Sequence, residues 1–544
     1  MKRIKYISAL SLLFIISFTA CKKQLDVKNP NSPTPEQAKT ESGIIFLAKG
    51  GVYENGFNGI KDDKYNVWLG NSYFSLGLGY HELMGDVIGA SAANAIINQI
   101  GVPDKVTFDD GSSLSNTAPI RGVLRINNNI GSPGQNPFYY EWTWMYFMNN
   151  AMNLVLQTLP EVEFSGDAES KANTVRAWAY WWKGYLYSHL GSIYYAGIIN
   201  DAVNSTNNLY VSNAELINES NKNFDLAASA LSAVSSTSDY EEVLSQLIPN
   251  FCQVGHGGVL STDMWVRNIN TMKARNLLVN KRVKDMSSGD WSSLLTLVSN
   301  GVQEGDFVFT GRAPETNFFF SANSGSVAAL AVGPSNTHSI NERLIQEYKE
   351  GDMRFANNFR ERDIPFVDQG GTLIYGTRYE LIDGGNGMPG VFTIATLAPD
   401  EYELYIAASY EENELMKAEA KIYLDQIDDG LESIDNVRNY QGAGIDNVSG
   451  SGLTSDEAKE ELRRERRVAL IFRGISFYDA RRWGVIDDVS KGGGRKNAVV
   501  MDLDGNIKTN CTINYNFLDY WDVPDDELSL NPPGEGSAEV VNPN

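Results

Sequence analysis

Only 3 cysteines and 4 histidines occur in 544 residues. Three cysteines cannot build a disulfide framework or a four-cysteine zinc site, and so few imidazoles leave little for histidine-based metal chemistry. Positive charge is also scarce: 45 Lys and Arg face 68 Asp and Glu, a net charge of −23. A free-standing nucleic-acid binder needs a basic footprint to neutralise phosphates, so that class is disfavoured. Catalytic signatures are missing as well. No G-x-x-x-x-G-K-[ST], H-E-x-x-H or G-x-S-x-G is present. What the chain does have is 42% hydrophobic and 11% aromatic residues, enough for a large core and incompatible with wholesale disorder. Its length leaves room for two or three large units.

The first twenty residues read as an export signal rather than as fold. Lys2, Arg3 and Lys5 precede the apolar run Ile7 to Phe18, which is shorter than the roughly 20 residues of a membrane-spanning helix. Small residues then lead to Cys21, as in a lipobox where the cysteine carries the lipids. An ordinary secretory signal cut elsewhere would instead leave Cys21 a chance thiol. Without the leader, the 45 basic residues fall to 42 against 68 acidic ones, so an acidic body would hang from the membrane without spanning it. Residues 21–35, with three prolines, read as a lipidated spacer. Cys252 and Cys511 could pair only if the fold brings them together, and are otherwise expected to be buried free thiols.

Helical periodicity dominates the rest. Between Val175 and Ala196, Trp178, Trp181, Trp182 and Tyr185 recur at i, i+3, i+4 and i+7, on one helix face. Ala177, Ala179 and Gly184 would let another helix approach closely. Asn213 to Leu231, Ser261 to Leu278, Asn413 to Asp425 and Ser455 to Ala480 are further amphipathic helices, the last opened by Ser455 as N-cap with an acidic first turn. Pairs such as 175–196 with 213–231 predict antiparallel hairpins of the α-solenoid kind. Long stretches rich in Gly, Asn, Ser and aromatics lie between them, roughly Gly56 to Pro137, Gly301 to Ser339 and Arg354 to Tyr402; loops of this length usually carry function. The fold class expected is mainly α, with degenerate tetratricopeptide-like hairpins supporting an irregular face. His81-Glu82 lacks a second histidine and reads as structural. Asp502-Leu-Asp-Gly505 lacks the distal Glu of a calcium loop and reads as a hairpin turn. No catalytic residue, metal ligand or cofactor is expected.

One block is specific: Glu461-Leu-Arg-Arg-Glu-Arg-Arg-Val-Ala-Leu-Ile-Phe-Arg-Gly-Ile-Ser-Phe-Tyr-Asp-Ala-Arg-Arg-Trp-Gly484. It resembles the signature helix of the SusD/RagB family of outer-membrane nutrient-binding lipoproteins. Other segments follow in the family's order: Cys21-Lys-Lys-Gln-Leu-Asp26, Arg176-Ala-Trp-Ala-Tyr-Trp-Trp182, Gly351-Asp-Met-Arg354, Glu414 to Ala420 with Asp435-Asn-Val-Arg438, and Tyr520-Trp-Asp-Val-Pro524. Met353 stands where the family commonly has proline. Ala469, Arg473 and Ser476 stand where it commonly has Glu, Glu and Arg; spaced i, i+4, i+7, they should share one helical face. The block reads as frame rather than ligand site.

The resemblance implies an N-terminal region at 36–260 and a C-terminal one at 261–544. It also implies capture rather than chemistry: a lipid-anchored protein facing the cell exterior that passes an oligosaccharide, or a peptide, to a SusC-like TonB-dependent transporter. Sugars lay C–H faces on aromatic rings while fixed polar groups meet their hydroxyls. The candidate ligand residues are Trp68, Tyr73, Tyr80, Asp86, Trp265, Arg267 and Trp291, with Phe74 and Trp142 as further rings; Phe318, Phe319 and Phe320 are candidates for transporter contact. A lipid-anchored glycan hydrolase and a ligand-free helical scaffold are the competing readings.

Overall fold

The computed structural model describes residues 35–53, 61–62, 67–68, 78–91, 97–131, 136–312, 332–333, 338–368, 376–388, 393–398 and 401–544. The expected leader and Cys21 lie outside them. Helices dominate. In chain order the main ones are α1 (Glu41–Tyr53), α2 (Leu78–Met84), α3 (Pro137–Thr158), α4 (Ala168–Ile193), α5 (Asn213–Ser232), α6 (Thr237–Leu247), α7 (Thr262–Val279), α8 (Ser288–Ser299), α9 (Tyr410–Tyr423), α10 (Ile427–Tyr440), α11 (Ser455–Ala469) and α12 (Ser476–Arg482). Several begin at side-chain caps that satisfy otherwise orphaned N–H groups. Asp167 accepts from the Ser170 amide at α4, and Ser212 with Glu215 forms a reciprocal capping box at α5. At α11 the capping box is Thr454 with Glu457, one residue earlier than the Ser455 cap expected.

The tryptophan-bearing run lies within α4, and its face is wholly interior. Trp178, Trp181 and Trp182 are fully buried, and all three rings pack around Phe309, with centroids 4.6–5.7 Å away. Helix α5 returns antiparallel across α4. Gly191 faces the Asn213 carbonyl and Ile217, whereas Gly184 faces the Phe224 ring and gives its carbonyl to the Ser220 hydroxyl. The second hairpin, α9 with α10, is antiparallel in the same way, with Asn436 reaching back to Glu414 and Lys421 to Ser433.

Short strands fasten the helices: β1 (Ile88–Ala90), β2 (Lys105–Thr107), β3 (Ser113–Ser115), β4 (His338–Ile340), β5 (Phe359–Phe366), β6 (Thr377–Leu381), β7 (Arg495–Met501) and β8 (Ile507–Asn514). β7, β8, β2 and β3 form an antiparallel sheet in that order, with Ile513 opposite Val106; β1 pairs with β4 and β5 with β6. The Asp502 carboxylate accepts from the Asp504 and Asn506 amides and closes the β7–β8 hairpin turn. The stretches read as long loops therefore contain α2, β1 to β4 and the β5–β6 hairpin.

The largest difference from expectation is in the signature block. The helix expected from Ser455 to Ala480 ends at Ala469 and restarts at Ser476. Between them Phe472 has φ 57° and Gly474 φ 70°, left-handed backbone that no helix continues through. Ala469, Arg473 and Ser476 consequently do not share a helical face. Arg473 lies 3.4 Å above the Tyr405 ring and pairs with Glu411, while the Ser476 hydroxyl donates to the His81 carbonyl and to Glu82. Cys252 and Cys511 are free and buried; burial pushes their thiols up to about 12 and about 11.

Candidate functional site

The candidate ligand residues that the structure describes do not converge on one surface. Tyr80 and Trp265 are fully buried, Trp265 with its ring 5.3 Å from Phe309. Trp142 is also buried and donates its indole N–H to Glu527. Arg267 is occupied by a two-point pair with Asp306 at 2.6 and 2.7 Å. Asp86 is buried at the centre of an ion-pair hub. Arg343 grips both its oxygens, Asn341 and the Tyr515 hydroxyl donate to it, and Arg495 stands 3.5 Å away. Burial alone would push this carboxyl up; Arg343, Arg495 and Arg467 outweigh that and hold it below the ordinary carboxylate value. Tyr80, Trp142, Trp265 and Asp86 offer no free face to a ligand, whereas Arg267 is partly exposed with its guanidinium held by Asp306. Trp68 belongs to a short strand pair, Lys61–Asp62 with Val67–Trp68. Tyr73, Phe74, Phe318, Phe319 and Phe320 lie outside the described residues.

Trp291 leads to a groove. It is buried, and its ring stacks on Tyr423 at the end of α9, with centroids 4.3 Å apart and planes 9° from parallel. Tyr423 is only half-buried. Together with half-buried Trp483, which follows α12, it lines an open groove of about 230 Å³. The first turns of α11 supply polar groups there. Asp456 is almost wholly exposed, Lys459 places its ammonium 5.1 Å from the Tyr423 centroid, and Glu460 is exposed on one side of Arg463. The Arg482 guanidinium lies 4.4 Å from the Trp483 ring centroid and is itself fixed by Glu419 and Asp479. Burial pushes the Tyr423 phenol up to about 12, so it remains a neutral donor and acceptor at physiological pH. The groove is smaller than the roughly 300–1,000 Å³ of sites for drug-sized ligands. Its lining combines two partly exposed rings with an ammonium and carboxylates.

Beneath the groove the signature block is a lattice of buried ion pairs. Arg466 and Arg482 share Asp479, and Arg354 and Arg438 share Glu465. Asp352 caps the turn at Met353 and also grips Arg354, so Met353 occupies the proline position without loss of that pair. Glu82 of α2 accepts from the Gly474 amide at 2.8 Å and from Ser476, clamping the left-handed break. Burial pushes its carboxyl up to about 7, against the lowering effect of those hydrogen bonds. Sequence reasoning selected Trp291, the ring beneath, and missed Tyr423 and Trp483. The available signal was Trp483 closing the signature block, together with Tyr423 at a helix end. Among the described residues no cluster of three or more His, Cys, Asp or Glu could hold a metal ion.

Residues 412–534 match the family model described as SusD family. That segment contains most of α9, all of α10 to α12, both groove rings and the ion-paired lattice apart from Asp352 and Arg354. Similar solved structures extend the likeness along the chain. A putative sugar-binding protein from Bacteroides vulgatus matches with a TM-score of 0.57 at 15% identity, covering 93% of this chain and 100% of its own. A SusD-like carbohydrate-binding protein from the same organism matches with a TM-score of 0.52 at 14% identity, covering 92% and 98%. NanU of B. fragilis matches with a TM-score of 0.54 at 14% identity, covering 95% and 100%. At such identities the likeness is one of fold. No curated protein matches the chain. The chain is thus similar to the SusD family over residues 412–534, and along most of its length it shares a mainly helical fold with solved SusD-like structures.

Proposed function

We propose that this protein captures an oligosaccharide and passes it to an outer-membrane transporter of the SusC type without altering it, while a lipid on Cys21 tethers it to the exterior face of the outer membrane. The observation that carries the binding reading is the open groove with Tyr423 and Trp483 in its wall, built into the segment that matches the family model. Support for the ligand class comes from the structural neighbours described as sugar- or carbohydrate-binding. The ring-bearing segment with Trp68 and Tyr73 is the proposed second contact for a longer glycan, and Phe318 to Phe320 the proposed transporter contact. Two rings at about 0.5–1.5 kcal/mol each, beside a few hydrogen bonds at about 1 kcal/mol net, give roughly micromolar to millimolar affinity.

Calorimetry against a panel of purified oligosaccharides and peptides tests this. Saturable heat without product is expected for at least one glycan. Replacing Trp483 or Tyr423 by alanine should weaken it about tenfold, the equivalent of roughly 1.4 kcal/mol. Released sugar would contradict capture, and unchanged binding in both variants would displace the site from the groove. The anchor has a separate test: a labelled lipid precursor should appear in the wild-type protein and be lost in Cys21→Ala.

A further inference from the structure

A second cleft, of about 180 Å³, opens beside α3 and shares no lining residue with the groove. Its wall includes Asn149, which is 2% exposed. The Asn149 amide nitrogen donates to the Asn200 carbonyl at 2.7 Å, and Asn153 donates to the same oxygen at 2.9 Å. Flipping Asn149 would press its own oxygen against that carbonyl, so the orientation is set. The Asn149 Oδ1 is then a buried acceptor without a hydrogen-bond partner, a condition that costs roughly 1–3 kcal/mol unless something donates to it.

The remaining wall supplies one more acceptor and an apolar face. Glu527 accepts from the Trp142 indole at 3.3 Å and from Asn531 at 3.0 Å, which leaves lone pairs for another donor. The Tyr146 hydroxyl is used twice on Ile198, accepting from its amide and donating to its carbonyl, so Tyr146 has its ring left to offer. Exposed Ser205 and Thr206 sit among the lining residues on the solvent side. Their loop is held in place, since the Asn150 side chain both donates to and accepts from Asn204. Beside its two neutral donors Glu527 keeps acceptor capacity for hydroxyl groups of a ligand, and the rest of the lining is uncharged.

We infer that this cleft is a second carbohydrate site for a single sugar ring. One ring hydroxyl donates to Asn149 Oδ1, another to Glu527, and the C–H face lies on Tyr146. The inference rests on the carbohydrate-binding reading only for the choice of probes. Those probes are the methyl glycosides of glucose, galactose, mannose and N-acetylglucosamine, followed by ligand-observed saturation-transfer NMR at millimolar concentration.

Four proteins are compared: wild type, the Tyr423→Ala/Trp483→Ala double variant, Asn149→Ala, and Ser205→Trp, which fills the cleft from an exposed position and spares the core. At least one glycoside is expected to bind saturably to the double variant with its affinity unchanged. Ser205→Trp and Asn149→Ala should each weaken that binding at least tenfold. The cleft is overturned if no glycoside binds the folded double variant, or if both cleft variants bind as wild type does. Loss confined to the double variant refutes the cleft and leaves the groove intact; loss confined to the cleft variants does the reverse.

Discussion

Asp86 shows how a single residue can look like a ligand group and be a structural hub. An acidic residue beside an aromatic-rich stretch reads naturally as a sugar contact, but its carboxylate is enclosed by Arg343, Arg495, Asn341 and Tyr515. Its backbone is left-handed, with φ 60°, a conformation that Asp and Asn tolerate better than most residues. Asp86→Asn therefore keeps the backbone, removes the charge and turns one of the two accepting oxygens into a donor facing Arg343. Breaking a buried pair strands the partner, so urea denaturation should show a loss of about 3–5 kcal/mol; a change below about 1 kcal/mol would show that the hub is dispensable. Gly184 illustrates the opposite case, a residue whose role was legible. A Cβ there would fall 2.6–2.9 Å from atoms of the Phe224 ring. Gly184→Ala should cost about 1–3 kcal/mol through overpacking, read from the thermal midpoint, and an unchanged midpoint would mean that α5 can move away freely.

At the scale of elements, helices with unbroken apolar periodicity were legible and their interruptions were not. The pattern through Val175 to Ala196 predicted α4 because nothing in it conflicts with a helix. Leu470, Ile471 and Phe472 also continue an apolar stripe, and Gly474 alone hints at the break between α11 and α12. What decides the matter is tertiary: Glu82, from a segment nearly 400 residues earlier, accepts from the Gly474 amide and holds the chain in its left-handed turn. That clamp titrates. The carboxyl moves from its ordinary 4.5 to about 7 on folding, with His81 and Arg467 beside it. Between those values the folded state keeps a proton that the unfolded chain has released, so stability falls as pH rises through the window, by about 1.4 kcal/mol per unit. Glu82→Gln imitates the protonated form. Its stability relative to wild type should rise by about 3 kcal/mol between pH 4.5 and pH 8. Parallel stability curves for the two proteins would contradict the clamp.

Across the whole molecule, buried arginine–carboxylate pairs from distant segments fix a helical body whose grooves lie where hairpins meet short connecting segments. The mainly helical architecture could be read from periodicity, because period and burial are linked directly. The groove could not. Trp291 and Tyr423 form a stacked pair, and nothing local says which of the two faces solvent; Tyr423 and Trp483 are sixty residues apart and meet only through packing of α9, α11 and α12. The central claim is that this body grips a glycan between those rings and leaves it intact. The most direct measurement is calorimetric titration of wild type and of the Tyr423→Ala/Trp483→Ala double variant with an oligosaccharide that binds, followed by analysis of the recovered sugar. The account predicts saturable heat for wild type, an affinity at least tenfold weaker in the variant, and sugar of unchanged length. Equal affinity in the two proteins, or shortened sugar, would contradict it.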